Sequence, residues 1–202
     1  MTRLKSARSY SPNIAIFSLV LTGLFLTACG TPVPVKTIEP TPNESVAATE
    51  TAASEWDWFS IELTDAQTGQ TFTMNDYAGK VVLVETMAIW CPNCIVQANE
   101  VQNLHKLLGN PDDLVSVSLD VDLNEDQASL KEYAGGYGFD WHFAVAPLEV
   151  SRALGNLYSA QYLNPPLSPM LIIDREGNVH TLDYGKKSAA ILQKSVEPYL
   201  TP

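Results

Sequence analysis

The chain has 202 residues, 46% of them hydrophobic, and a formal net charge of −11 at pH 7. This length and apolar content predict one globular domain with a substantial core and exclude a chain that is disordered throughout. The acidic balance argues against a nucleic-acid partner, which would require a basic face. Three cysteines are too few for a scaffold held together by several disulfides.

Residues 1–28 are typical of an export signal rather than of a folded domain. Three basic residues precede a 13-residue apolar run at positions 14–26, which has the length of a signal-peptide core and is short for a bilayer span. The run ends in Leu-Thr-Ala-Cys at 26–29, which resembles the lipobox of bacterial lipoproteins. The resemblance implies cleavage before Cys29 and a lipid on its sulfur, and hence an extracytoplasmic protein anchored to the cell membrane. The alternatives are an ordinary secreted protein with a chance cysteine and an uncleaved anchor.

Residues 29–54 predict a disordered, lipid-anchored linker. They are rich in Pro, Thr, Ser, Ala and Glu and contain no aromatic residue. Such a tether spans roughly 25–30 Å as a flexible coil and about 75 Å when extended as polyproline II. Aromatic residues begin at Trp56, and we expect the folded domain to occupy residues 55–202.

Strand and helix patterns alternate along this domain. An apolar, β-branched run at 81–84 predicts a strand buried on both faces, and Gly135–Gly136 is expected to end a helix. The order of elements indicates an α/β layered domain with a mixed sheet. The predicted strands are 57–63, 70–74, 81–84, 114–119, 141–145, 170–173 and 179–184, and the predicted helices are 92–108, 125–137, 150–158 and 188–199.

Cys91 and Cys94 lie directly after a predicted buried strand and at the start of a predicted helix. Free N–H groups and the helix dipole stabilise a thiolate at such a position and lower its pKa. Pro92 suits the first helical position, where no N–H is needed. We therefore expect Cys91 to be the exposed nucleophile and Cys94, one turn into the helix, to be the shielded cysteine that resolves a mixed disulfide.

The stretch from Val81 to Cys94, with its Trp-Cys-Pro-Asn-Cys ending, resembles the thioredoxin superfamily, and most closely its exported TlpA/ResA-like branch. The resemblance covers residues 56–200. It implies an α/β thioredoxin fold: a mixed central sheet flanked by helices, with an N-terminal β-hairpin extension. Positions 97 and 99, where that branch often has an acid and a proline, are Gln97 and Asn99 here.

The resemblance also implies a proline opposite the cysteine pair. Pro169, directly before the strand at 170–173, matches the cis-proline of thioredoxins, with Pro165 and Pro166 as nearby alternatives. In the family this proline exposes the preceding backbone, here Ser168, for pairing with a substrate strand. The alternative is a trans loop proline that starts a strand. The implied docking residues are Trp90, Pro92, Ser168 and Pro169.

Glu85 lies six residues before Cys91, where thioredoxins have a buried acid beneath the active site. Burial would raise its pKa. The resemblance implies that Glu85 exchanges a proton with Cys94. The alternative is a carboxylate at the strand end that reaches solvent.

No metal site is predicted. His105, His142 and His180 are scattered, and a zinc site with two cysteines would need a spaced histidine pair. The acidic run at 120–126 lacks the glycine and distal glutamate of an EF-hand loop and is interpreted as a cap for the next helix.

These patterns together predict a membrane-anchored thiol–disulfide oxidoreductase that reduces disulfides of exported proteins. It would need no cofactor besides the Cys91–Cys94 disulfide and would receive electrons from a membrane donor protein. Cytochrome c maturation is the process that the resemblance favours. The main alternative is a copper(I) chaperone that uses the same cysteines. A peroxidase is disfavoured because Thr86 has the wrong spacing to Cys91, and a purely structural bridge because so short a loop contributes little entropy.

Overall fold

A computed structural model of the protein describes residues 57–200. Four short 3₁₀ helices accompany the regular elements in this range, at Trp58–Ser60, Met74–Tyr77, Ala160–Leu163 and Pro165–Leu167. The strands are β1 (Leu63–Thr64), β2 (Thr71–Phe72), β3 (Val81–Met87), β4 (Leu114–Asp120), β5 (His142–Val145), β6 (Met170–Ile173) and β7 (Val179–Thr181). The helices are α1 (Pro92–Leu108), α2 (Gln127–Tyr137), α3 (Leu148–Leu157) and α4 (Ala189–Leu200).

The central sheet is mixed, as predicted, with the strand order β5-β4-β3-β6-β7. Strand β3 is parallel to β4 and antiparallel to β6, and β7 pairs with β6 as a hairpin. A separate two-stranded sheet of β1 and β2 forms the predicted N-terminal hairpin. Every residue of β3 is buried, so the strand that leads into the cysteine pair lies in the middle of the core.

Alternate residues of β3 face two different cores, because successive side chains of a strand point to opposite faces. Val81, Leu83 and Met87 pack into the core that α1, α2 and α4 cover. Val82 and Val84 pack into the core formed with α3 and the N-terminal segment. The period of two places Glu85 on the α1 side of the sheet, the side on which the cysteines lie.

The predicted first strand and the predicted end of the second helix are wrong. Most of the predicted first strand is a 3₁₀ turn, Trp58–Ser60, which buries the Trp58 indole and lets its Nε1 donate to Tyr158 Oη at 3.1 Å. Helix α2 continues through Gly135–Gly136 and is capped by Gly138, whose φ of 69° supplies the left-handed backbone that this type of helix end requires.

The signal at 1–28, the linker at 29–54 and the lipidation site Cys29 lie outside the described residues. Within residues 57–200, no helix combines the length and the apolar character needed to cross a membrane.

Candidate active site

The cysteine pair lies where the central strand turns into the first long helix. Cys91 is the N-cap of α1 and Pro92 its first residue. The Cys94 N–H donates to Cys91 Sγ at 3.2 Å. Cys91 and Cys94 form a disulfide with a Cα–Cα distance of 5.3 Å. The predicted placement at a helix N-terminus is confirmed, and a thiolate on Cys91 would accept an N–H bond there.

The prediction that Cys91 is exposed is wrong: Cys91 is 0% and Cys94 2% exposed. The two consecutive 3₁₀ turns at residues 160–167, here called the cover segment, lie against the pair. The carbonyl oxygen of Pro165 lies 3.5 Å from Cys94 Sγ, and Asn93 Nδ2 donates to the carbonyl of Pro166 at 2.8 Å. Local sequence gave no sign of this cover, since these contacts join residues more than 70 positions apart.

A groove lined by both apolar and polar side chains adjoins the buried disulfide. Trp90 is 56% exposed, and its Nε1 donates to Asp122 Oδ2 at 2.6 Å. The Asn124 N–H and the Trp90 indole hold the pKa of Asp122 below its usual value. Leu123 and Leu163, both exposed, line a cavity of about 280 Å³ together with Trp90. The predicted docking residue Trp90 therefore lies at a recess between the loop after β4 and the cover segment.

The predicted cis-proline and free Ser168 backbone are not found. All peptide bonds among residues 57–200 are trans, including Ser168–Pro169. Ser168 directly follows the cover segment and caps its last turn in the left-handed conformation, with φ 46°, and its N–H donates to the Pro165 carbonyl at 2.8 Å. Its own carbonyl accepts from Lys187 Nζ at 3.0 Å. Both backbone groups are therefore bonded within the protein and unavailable to a substrate strand.

Glu85 is buried, with 5% of its surface exposed, so the alternative of a carboxylate that reaches solvent is excluded. Its Oε1 accepts from Ser118 Oγ, which in turn accepts from Trp141 Nε1 at 2.9 Å. Burial raises the pKa of Glu85 to about 7, although the Ser118 hydrogen bond and the charge of Lys187 oppose the rise. A carboxyl group with this pKa changes protonation near neutral pH and is suited to proton exchange.

Two further buried ionisable groups close to the site were missed in the sequence. Burial lowers the pKa of Lys187 to about 8. Burial and the Glu125 carboxyl raise the pKa of Asp120, at the end of β4, to about 8. The only available signal was an acid that directly follows an apolar strand at Asp120; nothing in the Lys186–Lys187 dipeptide distinguishes a buried lysine from an exposed one.

Each of the three histidines has a hydrogen-bond partner inside the protein. His105 bonds to Ser116, His142 to Asp65 and Tyr77, and His180 to Asp174, at 2.7–2.8 Å. In the part of the chain that the structure describes, no group of three His, Cys, Asp or Glu side chains is arranged to hold a metal ion. The acidic run after β4 ends in Asp126, which caps α2 by accepting from the Ser129 N–H at 2.8 Å, as predicted.

A family model described as Redoxin matches residues 39–197, more than half of the chain. No curated protein matches the sequence.

Similar solved structures include a thioredoxin-family thiol:disulfide interchange protein from Chlorobium tepidum TLS, with 21% identity and a TM-score of 0.57 over 70% of this chain and 93% of that one. A secreted Mycobacterium tuberculosis disulfide oxidoreductase homologous to E. coli DsbE has 15% identity and a TM-score of 0.52, over 69% and 96% of the two chains. A thiol-disulfide isomerase from Corynebacterium glutamicum has 19% identity and a TM-score of 0.53, over 70% and 96%. At these identities the likeness concerns the fold, and it confirms the thioredoxin fold predicted from the sequence.

Proposed function

Because the chain belongs to the Redoxin family and is a thioredoxin-like oxidoreductase, we propose that it is a membrane-anchored, extracytoplasmic enzyme that reduces disulfides of exported proteins. The observation that carries this proposal is the Cys91–Cys94 disulfide at the N-terminus of α1, directly after the central strand. The two sulfurs exchange electrons with protein thiols, so the reaction needs no further cofactor.

Two thiol–disulfide exchanges load the enzyme with electrons. A thiolate of the donor protein attacks Cys91 Sγ, the Cys91–Cys94 bond breaks, and Cys94 leaves as a thiolate. The donor's second thiolate then attacks the mixed disulfide and releases Cys91, so that the donor loses two electrons and the pair gains two. Cys91, stabilised at the helix N-terminus, next attacks the disulfide of an exported protein, and Cys94 resolves the mixed disulfide. Glu85 exchanges a proton with Cys94 during the cycle.

Exchange requires the cover segment to move. An attacking sulfur must approach along the S–S axis, and both cysteines are buried, with the Pro165 carbonyl oxygen 3.5 Å from Cys94 Sγ. Among residues 57–200, one hydrogen bond joins the cover segment to the first turn of α1, from Asn93 Nδ2 to the Pro166 carbonyl, and the Pro165 carbonyl oxygen lies 3.5 Å from Cys94 Sγ. The groove beside Trp90 then supplies three exposed apolar side chains, Trp90, Leu123 and Leu163, on which a partner docks as the cover opens.

Membrane anchoring and export are supported by the lipobox-like tetrad at 26–29 and by the fold similarity to a protein described as secreted. Membership of the TlpA/ResA-like branch rests on the resemblance of residues 81–94. It makes reduction of disulfides in exported proteins, for cytochrome c maturation, the favoured role, with a membrane protein as electron donor.

A copper(I) chaperone is the second candidate. One observation favours it: Met87 and Met170 belong to the same buried cluster as Cys91 and Cys94. Two thiolates and two thioethers are soft ligands of the kind that Cu(I) prefers.

Reduction of insulin disulfides by the purified full chain, with dithiothreitol as electron source, tests the proposed activity. We expect activity that falls at least about 100-fold in Cys91→Ser, since loss of a covalent nucleophile removes the pathway altogether. A reduction potential well below that of glutathione would agree with a reductase. Full activity of Cys91→Ser would contradict the assigned roles, and tight Cu(I) binding without insulin reduction would favour the chaperone.

A further inference from the structure

Lys187 is a buried cation beneath the redox site. It is 5% exposed, which is rare for a lysine. Its Nζ donates to the carbonyls of Ser168 at 3.0 Å and Gly185 at 2.7 Å. Two neutral carbonyls satisfy hydrogen bonds but do not offset the cost of burying a charge, so the ammonium needs an anion nearby.

The position of Lys187 is held from helix α1. The Lys187 N–H donates to Gln97 Oε1 at 2.7 Å, and Gln97 Nε2 donates back to the Lys187 carbonyl at 3.1 Å. Gln97 is itself buried and lies one turn beyond Cys94. The lysine is therefore fixed against the same helix that carries the cysteines.

Glu85 is the buried acid on which the charge of Lys187 acts. The register of β3 and β6 pairs Glu85 with Met170, and the Thr86 N–H donates to the Pro169 carbonyl at 3.1 Å. The start of β6 thus lies between Glu85 and the Lys187 ammonium, which donates to the Ser168 carbonyl. Among the described residues Lys187 forms no direct ion pair, so the two charges act on each other through the low-dielectric interior.

Three other ionisable groups that belong to elements packed around Glu85 and Lys187 are Asp183, Tyr133 and Glu100. Asp183 acts on Lys187 from the same loop, and Tyr133 of α2 is buried in the core on the α1 side of the sheet, the side of Glu85. Glu100 of α1 accepts from the Ala189 N–H at 2.7 Å and so caps α4. Asp183 is exposed and Glu100 only partly buried.

We propose that Lys187 is a positioning residue of the redox reaction, whose buried ammonium stabilises the carboxylate form of Glu85 and thereby sets the pH at which Glu85 releases its proton to Cys94. The inference rests on the proposed function. When a dithiol reduces the disulfide, it gives two electrons to the pair, and Cys94 leaves as a thiolate. The Glu85 carboxyl gives its proton to that thiolate and becomes a carboxylate, whose charge Lys187 offsets.

Carboxyl ¹³C shifts of Glu85, followed from pH 5 to pH 9 in the oxidised full chain, provide the test. In Lys187→Met the midpoint of the Glu85 titration is expected to move up by roughly one pH unit, about tenfold in proton affinity, because an opposing charge has been removed. Lys187→Arg should restore the wild-type midpoint. Lys186→Met, a change at an exposed neighbour, is the matched control and should leave it unchanged.

The rate of disulfide reduction by dithiothreitol links the titration to the reaction. The ratio of the reduction rate of Lys187→Met to that of wild type should change with pH between the Glu85 midpoint of wild type and that of Lys187→Met. When both proteins also carry Glu85→Gln, this ratio should no longer depend on pH. An unshifted Glu85 midpoint in folded Lys187→Met would overturn the inference. If that variant does not fold, the reciprocal measurement decides: in Glu85→Gln the pKa of Lys187 must fall, and an unchanged value overturns the inference. Failure of the wild-type chain to reduce insulin would instead refute the proposed function.

Discussion

At the scale of single residues, burial determines the chemistry of the site. Glu85 is an acid in the middle of an apolar strand, and loss of hydration raises its pKa more than Ser118 and Lys187 together lower it. The result is a group that is neutral in the folded protein under conditions in which an exposed glutamate is ionised. This difference in protonation makes stability depend on pH.

We expect the folded protein to lose stability as the pH rises. Between the pKa of Glu85 in the unfolded chain, 4.5, and its folded value of about 7, the folded state binds a proton that the unfolded state releases, so the free energy of unfolding falls with pH. The fall is on the order of 3 kcal/mol. Asp120, whose pKa is also raised, to about 8, adds a loss of the same sign.

Glu85→Gln should remove the Glu85 share of this dependence. The change in the free energy of unfolding between pH 5 and pH 8 is measured by urea unfolding of the oxidised protein. Glu132→Gln is the control, because Glu132 is an exposed acid on α2. A difference between the two pH values that is as large in Glu85→Gln as in wild type would show that Glu85 is not the titrating group.

At the scale of elements, the cover segment decides access to the disulfide. It consists of two 3₁₀ turns with few regular hydrogen bonds, and short elements of this kind open more readily than the strands beneath them. Its contacts to α1 are made at its C-terminal end by the Pro165 and Pro166 carbonyls, and Ser168, the residue directly after it, bonds to Lys187. These contacts place the segment over Cys94.

Asn93→Ala should speed reduction of the disulfide. The change removes the 2.8 Å bond from Asn93 to the Pro166 carbonyl, and a hydrogen bond with a net value of about 1 kcal/mol corresponds to a roughly fivefold gain in the open population. The rate of reduction by dithiothreitol measures the effect. Asn99→Ala is the matched control, because Asn99 bonds only within α1, to the Ile95 carbonyl. An unchanged or slower rate in Asn93→Ala would show that this contact does not keep the cover closed.

At the scale of the whole molecule, the question is what would attach the protein to a membrane. With a net charge of −11, the protein is repelled by an anionic lipid surface, so membrane attachment would have to come from a hydrophobic anchor. The proposed anchor is the lipid on Cys29.

Cys29→Ser should move the protein from the membrane fraction to the soluble or still-unprocessed pool when it is expressed in a bacterium. Because acyl chains and not charges hold the wild-type protein, high salt should leave it in the membrane fraction. Fractionation followed by immunodetection measures both effects, with Cys91→Ser as a cysteine control that should stay membrane-bound. Release of the wild-type protein by salt, or a Cys29→Ser protein that is processed and bound like wild type, would contradict the anchor.

The elements around the site were predictable because their signals are local. Pro92 at the first helical position and Gly109 after the last turn bound α1 as predicted, and the apolar run at 81–84 marks the central strand. The Gly135–Gly136 prediction failed because glycine ends a helix only where the backbone becomes left-handed, and Gly138 takes that role.

By itself the sequence determined the fold class, the position of the cysteine pair at a helix start and the presence of an acid beneath it. Only the tertiary structure decided that Cys91 is buried, that the backbone of Ser168 is already bonded and that Lys187 is buried against α1. These three features arise from contacts between residues far apart in the chain, up to 90 positions for Gln97 and Lys187. Hydrophobic periodicity and capping motifs report only on neighbours within a few turns, so no local pattern encodes which distant loop closes over a site.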